Sequence, residues 1–294
     1  MADFMPWHDW RPLIEDALSA WKKSPSDANL SALRKTIKDA IETPWVKRKN
    51  GLLIEINDSG KAYSCMDQAD MAVVLLRSGQ AIGDQTYIDD GIACMEVNAT
   101  KTADGGLRTR DDDGSWFHGQ TSRDNKNLGA TFNKHLHATR NFDAGAKVLE
   151  ELGKQEKADN WRKLGRQGVA QLADGHYPAL KHLFVGGGQA VVNSWAYYAL
   201  NYESRDGRFL DSDKNGGYHL YDMRQLRKLD TIYLGLDWSR IALKPLLKTY
   251  KAKLADGGLY VNSKPAGGGD WRAVREDEAP LDDDTVRWFE TKSA

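Results

Sequence analysis

The densest run of residues able to do chemistry is Phe132-Asn133-Lys134-His135-Leu136-His137-Ala138-Thr139-Arg140-Asn141. Placed on a helix at 100° per residue, Leu128, Phe132, Leu136 and Ala146 share one side. Asn133, His137 and Arg140 follow at i, i+4 and i+7 and share another. An amide, an imidazole and a guanidinium on one stripe are costly unless they face water or a ligand. A solvated face normally carries Lys and Glu, as at Lys147, Glu150 and Glu151, so this stripe is expected to face a cleft. His135 falls near the apolar side, where a hydrogen-bonded core histidine competes with a catalytic one.

A second constellation is Gly216-Gly217-Tyr218-His219-Leu220-Tyr221, continuing to Arg224 and Gln225. Tyr218 and Tyr221 are spaced to project from the first turn of a helix, where free N–H groups favour anions. That placement is expected to ease tyrosine ionisation. A third cluster, His176, Tyr177 and Lys181, together with Trp116 and His118, supplies further candidates for holding a substrate.

Asn, His, Arg and Tyr together suit proton removal next to a carboxylate, as in β-elimination on a uronic acid polymer. Donors such as Asn133 or Arg140 would take up charge developing on the carboxylate. His135, His137 or an ionised Tyr would act as base. A Tyr hydroxyl would protonate the departing oxygen. An ordinary Tyr ionises near pH 10, so a cationic surrounding is needed for the base role.

The chain-wide numbers fit this. The 294 residues are 40% hydrophobic and 28% charged, with a formal net charge of −1. That balance is ordinary for a soluble globular protein and gives no general attraction to nucleic acid or membranes. An anionic partner must be held by a local basic cleft. No apolar run approaches the ~20 residues of a membrane span. Ten Trp and eleven Tyr against seven Phe favour surfaces that join flat apolar faces to polar edges, as sugar rings require. Cys65 and Cys94 offer at most one disulfide and are expected to be small buried thiols. The start, Met1-Ala2-Asp3-Phe4, has no basic-then-apolar leader pattern. A periplasmic or secreted location is expected if a leader precedes it, and a cytoplasmic one otherwise. No metal or cofactor is expected, since no P-loop, H-E-x-x-H or G-x-S-x-G run is present.

Helical periodicity dominates. Helices are expected around Leu13–Trp21 and over 26–42, 67–78 (closed by Gly79 as a left-handed cap), 84–97, 127–152, 155–173, 189–200, 218–236 and 238–254. A β-hairpin is expected over 52–65, turning at Asn57-Asp58-Ser59-Gly60. Residues 104–126 and 201–217 read as polar rim loops. Asp-Gly stops at Asp104, Asp174 and Asp256 echo at helix ends. Together these predict a mainly α fold, an incomplete α/α toroid of helical hairpins with a small β-hairpin, whose inner helices line a central cleft. One catalytic unit is expected over 1–294. It comprises helices and hairpin at 1–64, a helical-hairpin core at 65–255 and a surface extension at 256–294.

The run Asn133-Lys134-His135-Leu136-His137, followed by Tyr218 and Tyr221, resembles the clefts of helical-toroid polysaccharide lyases, the alginate and uronan lyases, over roughly residues 65–255. The Asn-Asn-His-Ser-Tyr run of one alginate lyase family is not present. The resemblance implies a lyase acting on an alginate- or glucuronan-type polysaccharide. It implies carboxylate neutralisation by Asn133 and His135 or His137, and an acid/base role for Tyr218 or Tyr221. Two alternatives remain. A glycoside hydrolase would need two flanking carboxylates, drawn from Asp111, Asp112, Asp113, Asp206, Asp222 and Asp237. A non-catalytic glycan-binding module would need only the aromatics.

Overall fold

The computed structural model describes residues 5–56, 64–111, 114–117, 132–173, 216–238, 243–255 and 280–293. Over these the chain is mainly α. Helices α1 (Trp7–Lys23) and α2 (Asp27–Ile41) are followed by strands β1 (Val46–Lys49) and β2 (Leu52–Glu55), then by α3 (Cys65–Ile82) and α4 (Gln85–Ala99). Strands β3 (Arg108–Asp111) and β4 (Gly114–Phe117) precede α5 (Phe132–Glu151) and α6 (Gln155–Ala173). Next come α7 (Gly216–Ile232), α8 (Leu243–Ala255) and α9 (Asp283–Lys292).

Short connections force α1/α2, α3/α4 and α5/α6 into helical hairpins. Ser26 and Asp84 cap α2 and α4 through their side chains. The odd-numbered helices form a row, α1 on α3, α3 on α5 and α5 on α7. Each even partner, α2, α4 or α6, packs on the back of its own odd helix. That two-layer order, an inner row and an outer row, is the incomplete α/α toroid expected from the sequence. One apolar cluster runs from Trp7 and Leu33 through Leu75 to Trp161. A second gathers Leu136, Met223, Leu229, Trp238 and Phe289 around α7, α8 and α9.

Four expectations change. The strand at 52–55 pairs with one at 46–49 across a turn at Asn50-Gly51, both with positive φ (52° and 78°), while the expected turn at 57–60 lies outside the described residues. Asn-Gly is the pair that fits a type I′ turn. Gly79 is not a cap: α3 continues to Ile82 and ends on Gly83, whose φ is 68°. Gly79 instead lets α4 approach, since a Cβ there would lie 2.8 Å from Asp84 O and from Ile88 Cγ1. Part of the 104–126 rim loop is a second antiparallel hairpin, β3–β4, packed on α5 and α6. The 256–294 extension contains α9, which buries Trp288 and Phe289 and is capped by Asp282. The expected helix at 189–200 lies outside the described residues, as do the 201–215 part of the second rim loop and the Asp174 and Asp256 stops. Cys65 and Cys94 are both buried and free.

Candidate functional site

The inner row carries a continuous polar network. Asp70, on α3, is surrounded in sequence by Ala69, Met71, Ala72 and Val73, and its carboxyl is buried. Its Oδ1 accepts from Arg11 of α1 at 2.6 Å, from His137 Nε2 of α5 at 2.6 Å and from Asn141 Nδ2 of α5 at 2.9 Å. Burial pushes the Asp70 carboxyl up, but His137, Arg11 and Asn141 outweigh it and hold the group below the ordinary carboxylate range. Asp70 is therefore ionised.

His137 links this carboxylate to α7. With Nε2–H donating to Asp70, Nδ1 faces Tyr221, whose Oη lies in short hydrogen-bond contact with it. The order is Tyr221 hydroxyl, His137 imidazole, Asp70 carboxylate, backed by Arg11 and Asn141. It repeats the logic of a nucleophile, a base and an orienting acid, with a phenol in first place.

Tyr221 does not behave as the sequence led us to expect. Helix α7 begins at Gly216, so Tyr221 lies in its second turn, beyond the free N–H groups. Burial raises its phenol well above the usual value. Arg140 pulls it down, Asp70 and Asp222 raise it and Arg11 lowers it, and burial wins. Tyr221 is a protonated phenol hydrogen-bonded to a base, not a free phenolate.

The remaining candidates divide. Asn133 and His137 are buried on α5, as are His135, Leu136, Ala138 and Thr139 beside them. The Asn133 Oδ1 finds no donor among the described residues. Arg140 is half-buried, and its charge reaches both Tyr221 and Lys228. Arg224 is half-buried on α7, donates to Pro280 O at 3.2 Å and also acts on Lys228. His135 is removed from the catalytic set. It is fully buried, its Nδ1 accepts from Phe117 N at 3.1 Å, and its Nε2–H donates to Gly168 O at 3.0 Å. Burial drives its pKa down to about 3, so it is a neutral core histidine that ties β4 and α6 to α5. Tyr218 belongs to α7 and Trp116 to β4, but their side chains lie outside the description. His118, His176, Tyr177 and Lys181 lie outside the described residues altogether.

Of the hydrolase carboxylates, Asp222 is fully buried. Burial alone raises its pKa well above the ordinary carboxylate value, and neither of its oxygens finds a donor among the described residues. Asp237 is exposed. No flanking pair of ionised carboxylates forms among these two. Among the described residues no group of three His, Cys, Asp or Glu side chains is arranged for a metal ion. No helix among them is long and apolar enough to cross a membrane.

Sequence reasoning missed Asp70, Arg11 and Asn141. The signal for Asp70 was present: it sits directly before the apolar run Met71-Ala72-Val73-Val74-Leu75-Leu76 in a helix, where a buried carboxylate must be paired. Arg11 is 59 residues from its partner, and no local pattern announces it.

The family described as D-glucuronyl C5-epimerase C-terminus matches residues 57–240. The chain belongs to this family. Within the C5-epimerase match lie Asp70, His137, Asn141 and Tyr221, whereas Arg11 lies on α1, ahead of it. The likeness to uronan lyases thus holds at the level of a helical, carbohydrate-modifying protein and not of a lyase. No curated protein matches. Among solved structures, a D-mannose isomerase aligns at 13% identity with a TM-score of 0.48, covering 94% of this chain and 66% of that one. A family 76 α-mannanase of Bacteroides thetaiotaomicron aligns at 11% identity with a TM-score of 0.43, covering 84% and 61%. A family 76 mannosidase from the same organism aligns at 12% with a TM-score of 0.43, covering 92% and 66%. The chain therefore spans 61% to 66% of the length of these proteins. Likeness at that level assigns no activity.

Proposed function

We propose that this protein is an enzyme that removes the C5 proton of a uronic acid residue, of the D-glucuronyl type, in a polysaccharide and returns a proton to the opposite face. The observation that carries the reading is the Tyr221–His137–Asp70 relay on the inner helices of a chain in the C5-epimerase family. The C5 proton lies next to a carboxylate. Its removal needs an acceptor aligned with the C–H bond and cations that take up the charge spreading onto the carboxylate. In this reading the Tyr221 oxygen takes the proton as its own passes to His137 Nδ1. The imidazolium that forms is stabilised by ionised Asp70. A phenol raised by burial suits this role, because at no stage need a free phenolate accumulate. Half-buried Arg140 and Arg224 and exposed Lys228 supply positive charge beside the relay.

A second reading shares the first step. The same phenol, having taken the C5 proton, is suited to protonating the departing 4-oxygen, and the outcome is then β-elimination. Incubation in D2O with glucuronan, alginate and a neutral glycan separates the readings. Epimerisation gives inverted residues carrying deuterium at C5 in an uncut chain. Elimination gives unsaturated, ultraviolet-absorbing ends. New reducing ends without unsaturation mean hydrolysis and would refute both.

A further inference from the structure

In the C5-exchange reading the relay serves one face of C5. The inner row holds a second imidazole–carboxylate pair beside it. His8 Nδ1 lies 2.7 Å from Asp67 Oδ1, and the backbone N–H of His8 donates to the same oxygen at 3.1 Å. Asp67 precedes Asp70 by one helical turn on α3, and His8 precedes Arg11 by one turn on α1. The two helices are therefore cross-linked in register, His8 to Asp67 and Arg11 to Asp70. Side chains at i and i+3 are about 5–6 Å apart at Cβ. Asp67 and Asp70 thus back two imidazoles, His8 and His137, from positions one helical turn apart.

The surroundings of the two carboxylates differ. Asp70 is enclosed, whereas the His8 side chain is 41% exposed against an Asp67 that is 1% exposed. With Nδ1–H held by Asp67, Nε2 is the outward nitrogen, 3.6 Å from Asp9 Oδ1. The hydrogen bond to Asp67 raises the pKa of His8. Burial opposes it, the charges of Asp67 and Asp9 support it, and that of Lys134 on α5 opposes it. Neither His8 nor Asp67 takes part in the relay.

We propose that His8 is the second proton-transfer residue, delivering the proton to the face of C5 opposite Tyr221; this rests on the C5-exchange reading above. In the forward direction the C5–H bond breaks, its electron pair passes into the carboxylate, and the proton goes to Tyr221 as the phenol proton moves to His137. The electron pair then returns to C5, which bonds to the proton from His8 Nε2. His8 is left neutral and His137 cationic, and exchange with solvent resets both. The reverse reaction exchanges the two roles.

The test compares wild type, His8→Gln and Tyr221→Phe on glucuronan and on its C5-inverted counterpart in D2O. Inversion and C5 deuterium are followed by NMR, and thermal midpoints are measured alongside. His8→Gln keeps the backbone bond to Asp67 and is expected to fold. We expect inversion to fall at least a hundredfold in both variants. Each should retain deuterium exchange on one isomer, and on opposite isomers from each other. Asp67→Asn should weaken inversion in the same sense as His8→Gln. Inversion by His8→Gln at the wild-type rate overturns the proposal, as does loss of exchange on both isomers with an unchanged midpoint. A wild-type protein that exchanges neither isomer sinks the underlying reading and the proposal with it.

Discussion

Substituting Asp70 by Asn preserves the shape at the centre of the relay and removes its charge. The Asp70 oxygen accepts from a guanidinium at 2.6 Å, an imidazole at 2.6 Å and an amide at 2.9 Å. A hydrogen bond to a charged group contributes about 1.5–3 kcal/mol and a neutral one about 0.5–1.5. Two of the three bonds drop from the first class to the second. Arg11 is 31% exposed and recovers part of its loss from water. The net destabilisation is about 2 kcal/mol, which a domain stable by roughly 5–15 kcal/mol survives folded. The effect on rate is larger, because Asp70 stabilises the imidazolium formed when His137 takes a proton. Loss of an orienting carboxylate behind a catalytic imidazole lowers turnover on the order of 10²–10⁴-fold, about 3–5 kcal/mol of barrier. Turnover on glucuronan, set beside a denaturant unfolding curve, reads both quantities. A folded Asp70→Asn protein turning over within about threefold of wild type would refute the relay.

Other expectations follow from the same geometry. Tyr221→Phe removes one hydroxyl and should lower turnover about 10²–10⁴-fold while substrate binding, measured by titration calorimetry, barely changes. His135 is neutral when native, with a pKa of about 3 against about 6.5 unfolded, so the unfolded chain binds the extra proton between those values. Its contribution to stability is therefore present above about pH 6.5 and lost as pH falls toward 3. Unfolding curves across that range should show a shallower fall for a folded His135→Gln variant than for wild type. Asp70 acts lower, its contribution disappearing as pH drops below the ordinary carboxylate range. Gly79→Ala forces a methyl to 2.8 Å from Asp84 O and should cost about 1–3 kcal/mol in thermal unfolding, with turnover per folded molecule unchanged.

What the sequence made legible depended on periodicity. The 3.6-residue pattern located α1 to α8 but not α9, and the short connections paired α1 to α6 into hairpins. The stripe of Asn133, His137 and Arg140 emerged because α5 is long enough for its faces to separate, and His135 fell on the apolar side where it belongs. Strand β1 escaped notice because Val46-Lys47-Arg48-Lys49 has one apolar residue and an exposed edge, so its charges hid a hairpin that Asn50-Gly51 marked. Strand β3 escaped for a similar reason, with Arg108, Thr109, Arg110 and Asp111 reading as loop. Tyr221 was found but given the wrong protonation state. The helix start predicted stabilisation of an anion, whereas burial between α5 and α7, a tertiary effect, sets the pKa. Arg11 and the pairing of His8 with Asp67 depend on how α1 lies against α3, and no spacing within either helix reveals that.

The most direct trial of the account is release of label from substrate carrying tritium at C5. Wild type should pass the label to water during turnover, and both His137→Ala and Tyr221→Phe should slow its release at least a hundredfold from the isomer that Tyr221 serves. Turnover that leaves the label on C5, or release undiminished in both variants, would contradict the claim that this phenol and imidazole move the C5 proton.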